Sequence, residues 1–536
     1  MIPPNSKLVV WSITAALAGF LFGFDTVVIS GAEQTIQDLW TLSPALHGLA
    51  MSMALWGTVV GSLVGSFPTD RFGRKKTLLW IGILYLVSAV WSGLATDVYS
   101  FMVARFIGGL GVGISTVAAP LFISEIAPAE KRGRLAGMFQ FNIVFGILVA
   151  FASNAVLGGL GENAWRWMLG VEAIPALIYS VLCLRLPESP RWLIGRKGDR
   201  AGGITVLRQI NPAADSVEIE AKADEIASVS HEAASRGGFW TERLRIPILL
   251  AFLVAFFNQL SGINAILYFA PRIFELTGLG EQAALLQSVG IGVTNLVFTF
   301  VGLWLIDKLG RRTLLYIGSF GYILSLGLCA AAFFYYSPQF KVANTSMALG
   351  KAIESMVGAE GKAGYSESDL EALAENYDKA KVALQEASAD PKYRGEPIVI
   401  PDGSDPESVG EISASALSAA AEFTGSGGLI VLICIFAFIA AHAVGQGAVI
   451  WVFISEIFPN RHRAQGQSLG SFTHWIFAAS LTMVFPIAIT ALAPGVVFGF
   501  FCFMMVLQLL WVRTMVPETK GRPLEQIEHD LGSTEA

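Results

Sequence analysis

The sequence predicts an all-α membrane protein with twelve transmembrane helices arranged in two six-helix halves. Three observations lead to this fold class. Of the 536 residues, 54% are hydrophobic and only 15% are charged, whereas about a quarter of the residues of a typical soluble domain are charged. Twelve segments are apolar over the roughly 20 residues that a helix needs to cross a bilayer. Several short motifs of the first half also recur in the same order in the second half.

Each predicted span is a run of predominantly apolar residues, and polar loops separate the runs. The four cysteines all lie inside these runs, so we expect them to be small core residues rather than disulfide partners or metal ligands. The spans are approximately 8–31, 46–69, 76–95, 99–125, 134–157, 165–186, 247–271, 284–306, 313–336, 426–453, 464–492 and 494–516.

The loops between the spans alternate in charge. Because basic loops stay on the cytoplasmic side, the alternation predicts that both chain termini are cytoplasmic. The long loop 187–245 is then cytoplasmic too, and its mixed charges indicate short amphipathic helices that link the halves. The basic loops are 70–77, 129–135 and 307–312, and the loops with acids but neither Lys nor Arg include 32–45 and 158–164.

Three motifs of the first half have counterparts in the second. DRFGRKK at 70 matches DKLGRR at 307, SEIAPAEKRGR at 124 matches SEIFPNRHRAQ at 455, and PESPRW at 187 matches PETKGR at 517. The offset grows from 237 to 331 and 330 residues, so the second half must contain an insertion. Two similar six-helix halves are typical of transporters that bind their substrate at the midplane between the repeats.

These boundaries divide the chain into four parts. The insertion is polar and rich in Ala and Glu, which predicts a solvated helical lid or a flexible extracytoplasmic loop, with a sugar-capturing module as the alternative. The parts are an N-terminal half 1–186, cytoplasmic linker helices 187–245, a C-terminal half 246–516 that contains the insertion at about 337–425, and a cytoplasmic tail 517–536.

Further motifs, in order along the chain, carry a family resemblance. They are FGFD at 22–25, DRFGRKK, RFIGGLGVG at 105–113, SEIAPAEKRGR, PESPRWL at 187–193, NQLSGIN at 258–264, DKLGRR, SEIFPNRHR and PETKGR. With them the chain resembles the sugar porter family of the major facilitator superfamily, and within it bacterial proton-coupled monosaccharide symporters of the xylose, arabinose or galactose type. The resemblance covers nearly the whole chain except the insertion, and it implies a transporter that works by alternating access.

Three ionisable residues lie in apolar spans at matching depths. Asp25, Arg105 and Glu172 each stand six or seven residues from the outer end of a predicted span, which is roughly 10 Å below the boundary at 1.5 Å per residue. A charge at that depth is costly and needs a partner. A static salt bridge is one interpretation. The resemblance favours the other, in which Asp25 is the proton carrier, Arg105 holds it ionised, and Glu172 tunes its proton affinity.

A monosaccharide needs amides that both donate and accept hydrogen bonds, and aromatic faces that cover its ring. Several intramembrane amides and aromatic residues could supply them, although each could instead hold helices together. The resemblance implies sugar contacts at most of these positions. The chain departs from the family pattern at His474, Asn258 and Ala448, and these departures leave the identity of the sugar open. The predicted substrate-binding residues are Phe22, Gln140, Asn258, Gln259, Asn264, Asn295, Trp451 and Trp475.

A gate is predicted at the cytoplasmic ends of the helices, where acids recur at fixed spacing from arginines in both halves. We expect acids of one half to face arginines of the other and to close the inner mouth; the alternative is that the basic residues only set topology. The predicted gating residues are Asp70, Arg71, Arg74, Glu125, Arg132, Arg134, Asp307, Arg311, Arg312, Glu456 and Arg463.

The predicted function is monosaccharide transport by proton symport, with protonation of Asp25 coupled to sugar binding between the halves. A passive sugar uniporter and a non-transporting sugar sensor are the alternatives. No metal-ligand spacing or nucleophile–base pair stands out in the spans, so we expect neither an enzyme nor a cofactor or metal. The expected partners are a pentose or hexose, a proton and the lipid bilayer. The net charge of −6 gives no sign of nucleic-acid binding, and we expect a monomer in a bacterial inner membrane.

Overall fold

The computed structural model describes residues 6–127, 129–212, 214–232, 239–359, 367–401, 404–424, 426–459, 462–522, 526–527 and 530–531. Within these residues the regular structure is entirely helical. Twelve helical segments are long and apolar enough to cross a membrane, and they agree with the predicted spans to within a few residues at most ends. The second predicted span, 46–69, is divided, because one helix ends at Val64 and the next begins at Ser66.

The described residues of the first half form nine α-helices, and the first of them continues into a 3₁₀ turn, Ile29–Gly31. The sixth span consists of two helices that meet at Val171 and Glu172. The helices are α1 (Ser6–Val28), α2 (Glu33–Leu39), α3 (Pro44–Val64), α4 (Ser66–Phe72), α5 (Arg74–Leu94), α6 (Val98–Ile126), α7 (Ala129–Leu157), α8 (Ala164–Gly170) and α9 (Ala173–Leu184).

Short helices follow the first half, as the mixed charges of the loop predict. They are α10 (Pro190–Trp192) with a π-helical turn (Leu193–Lys197), α11 (Arg200–Ile210), α12 (Ser216–Glu232) and a 3₁₀ turn (Glu242–Leu244). The second half comprises α13 (Arg245–Leu260), α14 (Ile263–Tyr268), α15 (Ala270–Glu275), α16 (Glu281–Leu309), α17 (Arg311–Tyr335), α18 (Ser337–Ala359), α19 (Glu367–Ser388), α20 (Pro406–Thr424), α21 (Gly427–Val444), α22 (Gln446–Ile457), α23 (Arg463–Ala491) and α24 (Pro494–Thr514).

The two halves pack against each other through α3 with α23 and α7 with α16. Gly48 makes the first of these contacts possible, because a Cβ atom at this position would collide with the carbonyl oxygen of Met483. At the second, the rings of Phe141 and Phe300 lie 5.6 Å apart. Many large apolar side chains are exposed, for example Trp80 at 59%, which suits helices whose outer faces contact lipid.

The predicted insertion contains the three helices α18, α19 and α20, which enclose a small apolar core of their own that includes Leu349, Leu384 and Val409. The insertion also touches the membrane bundle. The side-chain amide of Asn344 on α18 donates to the carbonyl oxygen of Leu276, 3.0 Å away. It is therefore a packed helical unit seated on the bundle rather than a flexible loop.

Candidate functional site

Asp25 and Arg105 form a buried ion pair between α1 and α6. Arg105 Nη1 lies 2.6 Å from Asp25 Oδ1, and Arg105 Nη2 donates to the backbone oxygen of Asp25 over 2.9 Å. Both residues are 1% exposed. Gly108, one helical turn beyond Arg105, leaves room for Ser88 on α5 beside the pair, since a Cβ atom at this position would collide with the Ser88 side chain.

Glu172 completes the cluster from the junction of α8 and α9. It is 1% exposed, and its carboxyl group interacts with Asp25 and Arg105. Among the described residues, neither Asp25 Oδ2 nor Glu172 Oε1 has a hydrogen-bond donor. Carboxylates only accept hydrogen bonds, and a carboxylic acid can also donate one. A single proton held between the two carboxyl groups would therefore satisfy both oxygens. The structure brings together all three residues of the predicted charged site.

Tyr268 is a neighbour of this cluster that the sequence analysis missed. It lies on α14 of the second half, is 1% exposed, and is close enough to Arg105 and Asp25 for electrostatic interaction. Asn264 lies four residues earlier on the same helix, so both side chains lie on one face. This spacing from a predicted sugar ligand is the sequence signal that could have identified Tyr268. The charged cluster of the first half thus borders the helix that carries a predicted sugar ligand.

The amides of the seventh span form a connected network, and a break in the helix makes this possible. Gly262 has a φ of 85°, which favours glycine, and it separates α13 from α14. Across this break, the amide of Asn264 donates to Gln259 Oε1 over 2.7 Å, and Gln259 Nε2 donates to Asn258 Oδ1 over 2.9 Å.

Aromatic rings surround this network. The Phe22 ring of the first half lies 5.5 Å from the Trp475 ring of the second half, so aromatic residues of both halves meet here. His474 lies 4.7 Å from Trp475 and 5.3 Å from Trp451, measured between ring centroids. Gln259 Nε2 is 3.2 Å from one nitrogen of the His474 ring and 3.1 Å from the other. The amide therefore faces the ring as a whole.

Two members of this cluster were not among the predicted ligands. His474 was noted only as a departure from the family pattern. Gln446, which is fully buried at the start of α22, lies 3.4 Å from the amide of Asn258 through its Oε1 atom. An amide inside an apolar span next to a helix break is unusual, and that signal could have identified Gln446.

Two predicted ligands lie apart from the network as the structure records it. Gln140 and Asn295 are half-buried on α7 and α16, the helix pair that joins the halves. Within the described residues, neither side chain hydrogen-bonds to the amide network. They remain predicted ligands without a contact that supports them.

The predicted gating residues form two equivalent ion pairs, and each stays within its own half. Arg74 makes two hydrogen bonds of 2.9 Å to Glu125, and Arg311 makes equivalent bonds of 3.0 and 2.7 Å to Glu456. Asp70 and Asp307 contact the same two arginines from four residues earlier, at 3.2 and 3.5 Å. The expectation of pairs across the halves is not met in this conformation, because each acid ends a helix that packs beside its own arginine.

A second acid braces each of these motifs. Glu188 accepts hydrogen bonds from the backbone of Arg74 and Lys75, and Glu518 does the same for Arg311 and Arg312. Burial raises the pKa of Glu188, although its hydrogen bonds from backbone N–H groups oppose the rise. The glycine before each arginine has a φ of 94° or 92°, so the turn is the same in both halves.

The other predicted gating residues have different surroundings. Arg71 is exposed. Arg312 Nη2 donates to the carbonyl oxygen of Arg513 over 2.8 Å. Arg463 has buried Nε and Nη2 atoms that lack an acceptor among the described residues. The side chains of Arg132 and Arg134 lie outside the part of the chain that the structure describes.

Comparison with known proteins identifies the family to which the chain belongs. The family described as sugar (and other) transporter matches residues 11–359 and 409–531, and the internal gap between these ranges lies in the middle of the predicted insertion. The chain is 29% identical to an arabinose-proton symporter of Bacillus subtilis (strain 168), over 96% of this chain and 93% of that protein. It is 27% identical to a D-xylose-proton symporter of Escherichia coli (strain K12), over 97% and 95%.

A solved structure shows the same fold. An inward open conformation of the xylose transporter XylE from E. coli matches with a TM-score of 0.69 and 26% identity, over 97% of this chain and 99% of that chain. The relatives are transporters and not enzymes, as predicted. The chain is a multi-pass membrane protein of the sugar (and other) transporter family, and the resemblance to sugar porters of the major facilitator superfamily is confirmed.

Proposed function

We propose that this protein moves a monosaccharide across the membrane together with a proton by alternating access. The observation that carries the proposal is a buried acid–arginine–acid cluster that borders, through Tyr268, the helix with the predicted sugar ligand Asn264. The similar proteins of B. subtilis and E. coli are named as sugar-proton symporters, which supports the same chemistry here.

The proton step follows from the partners of Asp25. While Asp25 is ionised, Arg105 is held by the carboxylate and by the backbone oxygen of the same residue. Protonation removes the charge that holds the guanidinium, and the proton can be shared with Glu172, whose Oε1 atom lacks a donor. Arg105 is then free to seek other acceptors, so proton binding and a rearrangement of α1 against α6 are linked.

The sugar step follows from the amide–aromatic cluster. Asn258, Gln259 and Asn264 present donors and acceptors, and the rings of Trp451 and Trp475 present apolar faces, which are the two kinds of surface that a sugar ring needs. Because Phe22 belongs to the first half and the other members to the second, a bound sugar would contact both halves. Its binding energy can therefore bias the equilibrium between conformations.

The orientation and surroundings of the protein are also part of the proposal. Basic loops predict a cytoplasmic location for both termini, the linker 187–245 and the tail 517–536, with the insertion on the other side. The similarity to bacterial transporters favours a bacterial inner membrane. We propose a monomer, because one chain supplies every residue of the amide–aromatic cluster and the cluster needs no second copy. The substrate is a pentose or hexose, and no cofactor is proposed.

Uptake into proteoliposomes tests the proposal. A panel of labelled pentoses and hexoses is offered with and without an inward proton gradient, and at least one sugar is expected to accumulate only with the gradient. Asp25→Asn should abolish accumulation while sugar exchange continues, because the amide network is untouched. Asp378→Asn, on the surface of the insertion and 71% exposed, is the matched control.

The results separate the alternatives. Accumulation by the Asp25→Asn protein at the level of the unaltered protein would exclude Asp25 as the proton carrier. Gradient-independent equilibration by the unaltered protein would identify a uniporter. Sugar binding without uptake of any sugar would identify a sensor.

A further inference from the structure

The polar contacts between the two halves are all at one end of the bundle. This is the end that carries loops 32–45 and 158–164, called the acidic-loop end below. In the described part of the chain, each hydrogen bond or ion pair that joins the halves lies there. At the opposite, basic-loop end, which carries loops 70–77 and 307–312, the described ion pairs stay within a half.

Glu33 is the centre of these contacts. It is 1% exposed and begins α2, while Arg272 lies on α15 of the second half. Arg272 Nε donates to Glu33 Oε1 over 2.8 Å, and Nη2 donates to Glu33 Oε2 over 2.7 Å, so the pair is bidentate. Arg272 Nη2 also donates to Gln37 Oε1 over 2.6 Å. Such a fork-shaped pair fixes geometry as well as charge.

His47 adds a third partner from α3. Its Nε2 atom lies 2.8 Å from Glu33 Oε2, and the residue is fully buried. Burial alone would raise the pKa of Glu33, but the charge of Arg272 and the hydrogen bonds from His47 and Arg272 lower it overall. Glu33 is therefore held ionised in the closed arrangement. The set Glu33, Gln37, His47 and Arg272 is called the cross-half cluster below.

Other charged groups surround the cluster at the mouth. Gln34 donates to Glu275 Oε1 over 2.9 Å and so forms a second polar bond between the halves. Asp38, Lys351 and Glu281 are exposed at the mouth, and Lys351 lies 3.8 Å from Glu281 within the second half. Within the cross-half cluster, Glu33 and His47 are buried, while the Arg272 side chain is 19% exposed. Glu33 must therefore gain water before the halves can separate here.

We propose that the cross-half cluster is the latch that closes the acidic-loop end, and that this latch must break in each transport cycle. Arg272 is the latch residue, and His47 is a positioning residue that holds the carboxylate of Glu33 towards it. The other buried ion pairs of comparable geometry, Asp25–Arg105 and Arg74–Glu125, lie within one half and can persist while the halves move. Only Glu33–Arg272, among the described buried ion pairs, joins bodies that alternating access must separate.

The proposal rests on the proposed transport cycle, but its test does not need a sugar or a proton gradient. The full chain is purified in detergent micelles with its four native cysteines replaced, and Ser30→Cys serves as the reporter. Ser30 is 2% exposed, precedes Glu33 by three residues, and its hydroxyl has no partner within the described structure. The rate at which a polar maleimide labels this cysteine reports how often the acidic-loop end opens.

Glu33→Gln and Arg272→Gln should each raise the labelling rate about tenfold. A minor conformation is typically populated at roughly 0.1–10%, so the population open at this end can rise about tenfold when the latch is lost. The double variant should add little, since either change alone removes the latch. Glu281→Gln is the matched control, and it should leave the rate unchanged. A second reporter, Ser124→Cys at the basic-loop end, should become slower to label as the first becomes faster.

Gln37→Ala removes one hydrogen bond of Arg272 and keeps the ion pair with Glu33, so it should raise the labelling rate only severalfold. This variant tests the proposal if the Glu33 and Arg272 variants do not fold. Unchanged labelling in folded variants with lowered melting temperatures would overturn the proposal and leave the cluster as a structural contact. Faster labelling at both reporters would also overturn it, because it would mean general loosening. If labelling responds as expected but no sugar is taken up, the latch stands and the proposed transport function fails.

Discussion

Gln259 lies at the centre of the amide network. Its Nε2 atom donates to Asn258, its Oε1 atom accepts from Asn264, and its amide faces the ring of His474. Gln259→Ala removes all of these contacts together with the contact proposed for the sugar. The two losses affect different quantities, and this difference makes the role of the residue measurable.

The internal hydrogen bonds exist with or without sugar, so their loss lowers stability and cancels from affinity. Hydrogen bonds between membrane helices are worth about 0.6 kcal/mol on average, so the free energy of unfolding should fall by about 1–2 kcal/mol. The sugar contact exists only in the complex. Leaving a hydroxyl without its partner in a desolvated site costs about 1–3 kcal/mol, which is a loss of affinity of about 5- to 150-fold.

Titration calorimetry with the transported sugar measures the affinity, and thermal melting measures the stability. Gln508→Ala is the matched control, because Gln508 is a fully buried glutamine on α24 whose amide has no hydrogen bond to the described residues. It should leave the affinity unchanged. A Gln259→Ala protein with lowered stability but unaltered affinity would refute the reasoning and leave Gln259 as a residue that only joins helices.

Three further predictions follow from the structure. Gly262→Ala should lower the melting temperature and the affinity together, since an alanine there combines a φ of 85° with a Cβ atom 2.6 Å from the Phe501 ring; Gly499→Ala, with open space around it, should do neither. Replacing 360–408 by a short Gly/Ser linker should keep sugar uptake within about twofold of the unaltered protein. The family match omits these residues, and α18 keeps its hydrogen bond to Leu276. A tenfold loss of uptake in a correctly inserted protein would show that the insertion captures sugar. Burial raises the pKa of Glu275 from 4.5 to about 7, although the hydrogen bond from Gln34 opposes the rise. The protonated carboxyl group therefore contributes fully to stability below about pH 4.5, and this contribution is lost as the pH rises through about 7. The melting temperature should fall between about pH 5 and 8.5, and Glu275→Gln should make this pH dependence weaker.

Much of the fold could be predicted because lipid leaves few choices. A backbone in hydrocarbon must satisfy its own hydrogen bonds, so apolar runs of sufficient length predict helices directly. The depth of Asp25 and Arg105 followed from the helical rise alone, and the structure places them in contact. The helix break between Gln259 and Asn264 falls at Gly262, the residue type that most readily adopts the positive φ found there. These predictions depended only on the length and residue types of individual segments, which can be read directly from the sequence.

The partners of charged groups at the helix ends could not be predicted in the same way. Arg74 and Arg311 were expected to face acids of the opposite half, but they bind Glu125 and Glu456 of their own halves. Which ion pairs form depends on the conformation of the transporter, and one sequence encodes more than one conformation. Glu33 and Arg272 were missed for a related reason, because they stand beyond the ends of their spans and look like ordinary loop charges.

The three polar sites of this protein lie along the same two helical segments. One segment runs from α1 into α2 and the other runs through α14 and α15, and the two segments pack against each other. Each carries one residue for the sugar cluster, the charged cluster and the latch. They are Phe22, Asp25 and Glu33 on the first, and Asn264, Tyr268 and Arg272, spaced four apart, on the second.

This arrangement gives a physical reason for coupling. Asn264 and Tyr268 are spaced four apart on α14 and so share one face of that helix, while Arg272 lies on α15, which begins directly after Phe269. A shift of α14 and α15 together relative to α1 would therefore move all three contacts. In the proposed cycle, a sugar at Asn264, a proton at Asp25 and rupture of the Glu33–Arg272 pair would act on one relative motion rather than on three separate ones. The coupling needs no long pathway, because the sites share the element whose position they bias. Tyr268→Phe should then leave sugar affinity nearly unchanged while it weakens the dependence of affinity on pH, which calorimetry at two pH values would measure; an unaltered dependence would show that the charged cluster acts on α14 without the tyrosine.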